Sequence, residues 1–454
     1  MRGSIERCAV AMAALCLCIP ASEAADQSSL AAVTAPSGPV LHFDWPMVSV
    51  GIGEYEEGPT GVTVIRFGRK VMAAVDVRGG APGTVNTDYL RLGYEKPQLD
   101  AIVFAGGSWD GLEATTAVAS ALKEEGVRDG TWSNLALTAG AIVYDFGDRR
   151  LNEIFPDKRL AQAAAHAARP GIFPLGAQGA GRFVKTGVFF GCGGYSGQGG
   201  AFRQVGNLKV AAFAVVNAGG VVTRRDGTFT ACYPDPAWGP MSRTSQLLAQ
   251  MTGSPIPDTS SRNTTISLVV TNQKMFPAEL QRLAVQVHTS MARSIQPFAT
   301  QGDGDVLYAV STGELPAPAG AHGMEGARVG IIAAEVMWDA LLASVPQQVK
   351  AATPDPDARL SPATLEAVAG RYRFSEFASL TITTSGGRLQ ARATGARDVY
   401  GIGRDKAVLL VPARSDDKRL LFTVPGRYPL NLRFDADGIL VLNPGTWQQV
   451  GHRT

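Results

Sequence analysis

Residues 346–361, where Pro, Gln, Asp and Ala replace an apolar helical pattern, divide this chain into two parts that cannot share one fold. Before the break, from His42 to about Val345, strand-like runs at 62–67, 101–104 and 209–216 alternate with helical stretches at 112–125, 159–168, 277–295 and 327–343. Such alternation predicts an α/β fold with helices layered over sheets. After the break, 362–454 holds only short alternating runs, at 372–374, 380–383, 389–393, 407–411, 420–424 and 430–434, with turn signals between them. That spacing predicts a small antiparallel β-barrel or sandwich. An apolar fraction of 45% is ample for both cores. Two tracts interrupt the first part: 171–200 is dense in glycine, and 252–262 is almost wholly turn-formers, predicting an exposed, mobile loop.

The first two dozen residues are a separate object. Arg2 and Arg7 make a basic start, 8–20 is a short apolar run, and Ser22 and Ala24 are small residues where a signal peptidase reads. A secretory signal peptide over 1–24 is therefore expected, with a periplasmic or secreted protein as its consequence. The run falls short of the roughly 20 residues that cross a bilayer, and no later run is long enough, so no stable membrane insertion is expected. Residues 25–40 are small and polar with prolines, which predicts a flexible lead-in. Signal removal leaves Cys192 and Cys232 of the five cysteines. In an oxidising compartment they can pair, although spacing alone leaves the pairing open.

Several chemistries drop out. Net charge is +2 with Lys and Arg scattered singly, so no nucleic acid partner is expected and small molecules are. The histidines, His42, His166, His288, His322 and His452, include no i, i+4 pair, and Cys-x-x-Cys is absent. Neither a metal nor another cofactor is expected. The glycine run 176–181 has neither the dinucleotide nor the phosphate-loop order. Ser108 and Ser196 do not sit in a nucleophile elbow, and the Ser-x-x-Lys match at Ser415 and Lys418 lies among turn residues of the β part.

Asn263-Thr264-Thr265-Ile266 remains, at the junction between the 252–262 tract and a strand-like run. A hydroxyl residue there can attack the carbonyl before it, and hydrolysis of the resulting ester frees an α-amine of pKa about 8. That amine can take the proton of its own hydroxyl, a route to a nucleophile without histidine. Asn-Thr-Thr is also ordinary turn chemistry ahead of a strand, and from these residues alone both readings stand.

Further motifs follow in order: Gly61-Val-Thr-Val64, Val75 to Thr84 with Thr87-Asp88, Phe104-Ala-Gly-Gly-Ser108 with Gly111 to Ala114, Gly140 to Asp145, Gly179-Ala-Gly181 with Lys185, Val215-Val-Asn217-Ala218, Asn263 to Ile266, and Asp303-Gly-Asp305. With them the chain resembles, over about 44–345, the self-processing P1-type peptidases: the L-aminopeptidase/D-esterase, β-peptidyl aminopeptidases and the nylon-oligomer hydrolase. The resemblance implies a four-layer αββα sandwich over 41–345, related in plan to the N-terminal-nucleophile hydrolases. It implies autocleavage between Asn263 and Thr264, an α chain ending at Asn263 and a β chain starting at Thr264, and a homo-oligomer of αβ units. Thr264 would be the nucleophile, acting on small peptides or amides without a cofactor. Asn217 would supply the oxyanion donor and Tyr144 a hydroxyl in the site. Lys185 would keep the Thr264 amine neutral, and Asp303 and Asp305 would hold the Thr264 hydroxyl and amine.

Two departures bear on substrate. Ile142 stands where aminopeptidase members carry an amine-binding carboxylate, with Glu113 or Asp145 as possible replacements. Arg182 and Phe183 follow Gly-Ala-Gly where small residues are usual, predicting a narrower pocket. The Ala-Gly-Arg-Tyr-Arg-Phe opening of the β part resembles the lipocalin-like domain appended to some penicillin-binding-type serine hydrolases, where it could cap the site or mediate assembly. From a different class, a non-catalytic envelope protein using the fold as a binding or scaffold module stays open.

Overall fold

The computed structural model describes residues 27–91, 93–146, 150–251, 263–317, 324–355, 357–414, 419–424, 426 and 428–454. The signal peptide expected over 1–24, the 252–262 loop, His322, Ser415 and Lys418 lie outside the described residues. The main strands of the α/β part are β1 (Val48–Tyr55), β2 (Thr60–Val77), β3 (Gln98–Ala105), β4 (Thr138–Ile142), β5 (Gln198–Val205), β6 (Leu208–Asn217), β7 (Thr264–Gln273) and β8 (Val306–Leu315). Its main helices are α1 (Glu113–Glu124), α2 (Lys158–His166), α3 (Pro277–Ser290) and α4 (Met324–Ala343).

Hydrogen bonds join these strands, with two short edge strands, into one ten-stranded ladder ordered β5-β6-β7-β8-β2-β3-β4, β1 lying beside β2. β2 makes two layers of it. Its register against β3 slips between Arg66 and Val71, where Gly68 and Arg69 are exposed, a bulge that bends the strand. The half before the bulge pairs with β1 and β3, and the half after it pairs with β8. Side chains then alternate between two environments along each strand. Val50, Ile65 and Phe104 of one layer meet Phe213, Leu268 and Tyr308 of the other in the central core. On one outer face Ala212, Val269 and Leu307 pack against Leu283 and Val287 of α3 and Met337 of α4. On the other, Val64 and Val103 pack against Val118 of α1 and Leu160 of α2. The result is the four-layer αββα sandwich.

Local chemistry sets the helix starts. Asp157 caps α2 by accepting the Leu160 N–H, and Glu279 reaches back to the Phe276 N–H ahead of α3, whose first residue is proline. The run expected over 277–295 is shorter as a helix because a 3-10 turn, Met291–Arg293, tightens its end. The lead-in is not loose where it is described. Gln27 bonds the Phe155 backbone in both directions, Val33 bridges Glu54, and the Ser37 and Gly38 N–H groups share the Gln178 side chain. Those backbone groups have protein partners that composition does not reveal.

The linker is also pinned. Gln348 bonds both backbone groups of Tyr195, and Asn431 bonds Ala352 and Lys350. Beyond it α5 (Pro362–Val368), capped by Ser361, precedes β9 (Gly370–Arg373), β10 (Ser379–Ser385), β11 (Arg388–Ala393), β12 (Val408–Leu409), β13 (Val411–Pro412), β14 (Leu420–Val424), β15 (Leu430–Asp435), β16 (Ile439–Leu442) and β17 (Gln449–Arg453). They form an antiparallel nine-stranded sheet whose end strands are β12 and β13. Only Leu410 separates these two, so the sheet curls until its edges meet there, while the first and last strands of the part, β9 and β17, pair in the middle of the sheet. This is an up-and-down barrel. Its interior is filled by Tyr372, Leu380, Ile382, Leu389, Phe422, Leu432, Phe434 and Leu440. Leu151 of the α/β part packs into that core, and its N–H bonds Gln449 at 2.6 Å. Among the described residues no helix is long and apolar enough to cross a membrane.

Candidate active site

Thr264 is the first residue of β7 and shares the parity of Ile266, Leu268 and Val270, which face the central core. Its side chain therefore enters the space between the sheets. Thr264 pairs with Asn217 at the end of β6, and Asn263 bridges Asp303 just before β8. All four residues are buried, Thr264 being only 3% exposed. The Thr264 hydroxyl donates to the carbonyl oxygen of Asn263. That same oxygen accepts the Gly304 N–H at 2.8 Å. A hydroxyl thus rests on the peptide carbonyl before it, and a backbone donor polarises that carbonyl from the side. Gly304 has to be glycine: a β-carbon there would stand 2.8 Å from Thr264 Oγ1 and 2.7 Å from the Ala81 carbonyl oxygen.

Asp303 and Asp305 flank this glycine, both buried. Asp305 accepts the N–H groups of Thr265 at 2.6 Å and Ala299 at 2.9 Å. Asp303 accepts from the Gly219 N–H at 3.2 Å and the Thr300 hydroxyl at 2.6 Å. Asp305 thus holds the backbone N–H next to Thr264, and Asp303 ties Gly219, beside Asn217, to Thr300. The parallel register sets Asp303 opposite Asn263 and Gly304 opposite Thr264, and so brings Asp305 to Thr265. Burial, and then the neighbouring Asp303 carboxylate, push Asp305 well above the usual carboxylate range.

Asn217 ties the remaining candidates together. Its Nδ2 donates to the Tyr144 carbonyl at 2.9 Å, and its Oδ1 takes the Lys185 N–H at 3.3 Å. An amide nitrogen carries two hydrogens, so one bond to Tyr144 is compatible with a second toward an oxyanion. Tyr144 is half-buried and enters through its backbone carbonyl. The Lys185 ammonium lies over the rings of Tyr195, Tyr400 and Phe183 at 5.1, 5.4 and 5.6 Å, held by their π faces. It stands beside Thr264 through its backbone and Asn217, with its charge in an aromatic box.

Neither replacement carboxylate is positioned for a substrate amine. Asp145 is buried and taken up by the Thr60 hydroxyl, the Gly107 N–H and the buried Arg150. Glu113 is exposed at the start of α1 and accepts the Lys158 N–H. Arg182 turns inward to Glu54 at 3.1 Å, leaving Phe183 alone of the predicted narrowing pair against Tyr195 and Lys185. Cys192 and Cys232 form a disulfide beside Phe190 and Val221.

Sequence reasoning missed two glycines. Gly304 acts through its N–H, and the Asp-Gly-Asp tripeptide was the only signal for it. Gly79 packs so closely on that tripeptide that a β-carbon would stand 2.1 Å from the Asp305 nitrogen, and one on Gly80 would stand 2.4 Å from the Gln301 carbonyl oxygen, which explains the glycine pair in the Val75–Thr84 motif.

Peptidase family S58 matches residues 43–355. The chain is 41% identical over 328 residues to the 6-aminohexanoate-oligomer endohydrolase of Paenarthrobacter ureafaciens, covering 70% of this chain and 89% of that protein. It is 31% identical over 327 residues to an uncharacterized aminopeptidase of Mycobacterium tuberculosis, covering 66% of this chain and 88% of that one. Among solved structures, a Burkholderia sp. beta-aminopeptidase aligns at 20% identity and TM-score 0.49, covering 69% of this chain and 88% of that one.

Proposed function

The chain belongs to peptidase family S58 and is a peptide or amide hydrolase, and on that premise we propose that it matures by breaking its own Asn263–Thr264 bond and then uses Thr264 as its nucleophile. One arrangement supports this above all others. The Thr264 hydroxyl lies on the Asn263 carbonyl, and the Gly304 N–H sits 2.8 Å from the same oxygen.

Attack of Thr264 Oγ1 on the Asn263 carbonyl carbon places negative charge on an oxygen that already has a donor. Collapse breaks the C–N bond, the hydroxyl proton passes to the departing Thr264 nitrogen, and an ester joins Asn263 to Oγ1. Water hydrolyses that ester, leaving a carboxylate on Asn263 and a free amine and hydroxyl on Thr264.

In turnover the amine takes the hydroxyl proton as Oγ1 attacks a substrate amide. The Asn217 amide donates to the new oxyanion, the substrate amine leaves with the proton, and water releases the acyl group. The substrates are small peptides or amides, with oligomers of ω-amino acids favoured by the relative's name. The burial of Asp145 and the exposed position of Glu113 argue against a requirement for a free substrate amine. The basic-then-apolar start at 1–24 and the Cys192–Cys232 disulfide support an exported, periplasmic or secreted protein. Homo-oligomers of αβ units follow from the family likeness.

The test is a denaturing gel with N-terminal sequencing. Two bands, the smaller beginning at Thr264, and one uncut, inactive band for Thr264→Ala are expected. A single band that the substitution leaves unchanged would instead identify a non-catalytic envelope protein.

A further inference from the structure

The barrel lies outside the family match, which ends at 355, yet it reaches the residues around the nucleophile. Its contacts converge on the segment that carries Lys185. Trp447 packs on Tyr195 with ring centroids 4.7 Å apart, and Asn443 donates to the Tyr195 hydroxyl at 3.4 Å. The Tyr428 hydroxyl donates to the Gly191 carbonyl at 2.6 Å. Tyr400 places its ring 5.4 Å from the Lys185 ammonium. From there Lys185 bonds Asn217, and Asn217 pairs with Thr264.

Tyr400 is an unusual residue for its position. It opens a turn closed by reciprocal hydrogen bonds between Val399 and Ile402, and its φ is 50°. Glycine or asparagine suits that left-handed backbone, and a bulky side chain is strained in it. The ring is also fixed from behind. Gln449 donates to the Tyr400 hydroxyl while accepting the Leu151 N–H of the α/β part. A strained turn locked across two domains delivers one aromatic face to the ammonium of Lys185, whose backbone bonds Asn217.

We propose that the barrel is a fixed wall of the substrate site and that Tyr400 is its specificity-determining residue, closing the Lys185 side so that short amides and chain ends are cut and the interior of long chains is excluded. An enzyme that cuts within a long chain needs a groove open on both sides of its nucleophile. Here one side is occupied by Tyr400, Trp447 and Tyr195, packed on each other and on the linker through Gln348. The proposal rests on Thr264 being the nucleophile.

The test uses the full chain with Tyr400→Gly, which removes the ring and suits the turn, and with Tyr400→Phe, which keeps the ring. Self-cleavage is read on gels. kcat/KM is measured on a dimeric and an octameric linear oligoamide of an ω-amino acid, with melting temperature as a check on folding. The expected result is unchanged self-cleavage in both variants. In Tyr400→Gly the octamer-to-dimer ratio of kcat/KM rises on the order of tenfold, while Tyr400→Phe keeps the wild-type ratio. A cleaved, folded Tyr400→Gly with the wild-type ratio overturns the wall while leaving the Thr264 reading intact. A wild-type chain that stays uncut and inactive overturns both.

Discussion

Replacing Gly304 by alanine probes the cleavage chemistry at one atom. The added β-carbon would lie 2.8 Å from Thr264 Oγ1 and 2.7 Å from the Ala81 carbonyl oxygen. Carbon–oxygen contacts ordinarily sit at about 3.3–3.6 Å, so the 304 backbone and Thr264 must part by roughly half an ångström. That shift lengthens the 2.8 Å Gly304 N–H bond to the Asn263 carbonyl toward the limit at which it ceases to be a hydrogen bond. Loss of one oxyanion donor costs about 3–4 kcal/mol, so self-cleavage slows by roughly 10²–10³. Precursor made by cell-free translation and sampled over time on gels gives the rate. Gly302→Ala is the control: it lies two residues away, and a β-carbon there meets nothing within 4 Å, so this variant cuts at the wild-type rate. Wild-type cleavage in Gly304→Ala, or equal slowing in both variants, would refute the donor role.

Three further outcomes follow from the same geometry. Asn217→Ala removes the oxyanion amide and unties Tyr144 and Lys185, so kcat on a short amide falls about 10²–10³, measured on cleaved protein. Asp305 binds its proton more tightly folded than unfolded, so between the ordinary carboxylate value and the raised folded one the folded state carries more bound protons than the unfolded. Stability falls as pH climbs through that window, and Asp305→Asn flattens the slope in denaturant titrations. Replacing Cys192 and Cys232 together by serine opens a link between residues 40 apart and lowers unfolding free energy by about 4 kcal/mol in the chain-entropy account. Activity at low temperature is retained, because the link lies at Phe190 and Val221 rather than at Thr264.

The α/β alternation was legible because strand-like runs such as 62–67 and 209–216 alternate with helices that keep a one-sided apolar stripe, whereas the four-layer plan came only with the motif resemblance. Thr264 stood out in sequence as a hydroxyl between turn-formers and a strand-like run, and the structure rests that hydroxyl on the Asn263 carbonyl. What escaped was whatever depends on distant chain. Gly304 has no side chain to announce it, and its need for hydrogen at Cα comes from Ala81 on another segment. The Lys185 box draws Tyr400 from a second domain, beyond the reach of any local pattern. Asp145 looked available for a substrate amine because nothing in its neighbourhood reveals that Arg150 folds back, buried, onto it. The lead-in misread has the same origin: side chains at Gln27 and Gln178, not composition, hold it down.

Mass spectrometry of the protein caught during turnover of a slow ester substrate bears most directly on the Thr264 chemistry. Two polypeptides are predicted, with the substrate's acyl mass carried on the fragment whose first residue is Thr264. A single polypeptide, uncut at Asn263–Thr264, that still hydrolyses the ester, or an acyl group found on any other residue, would contradict it.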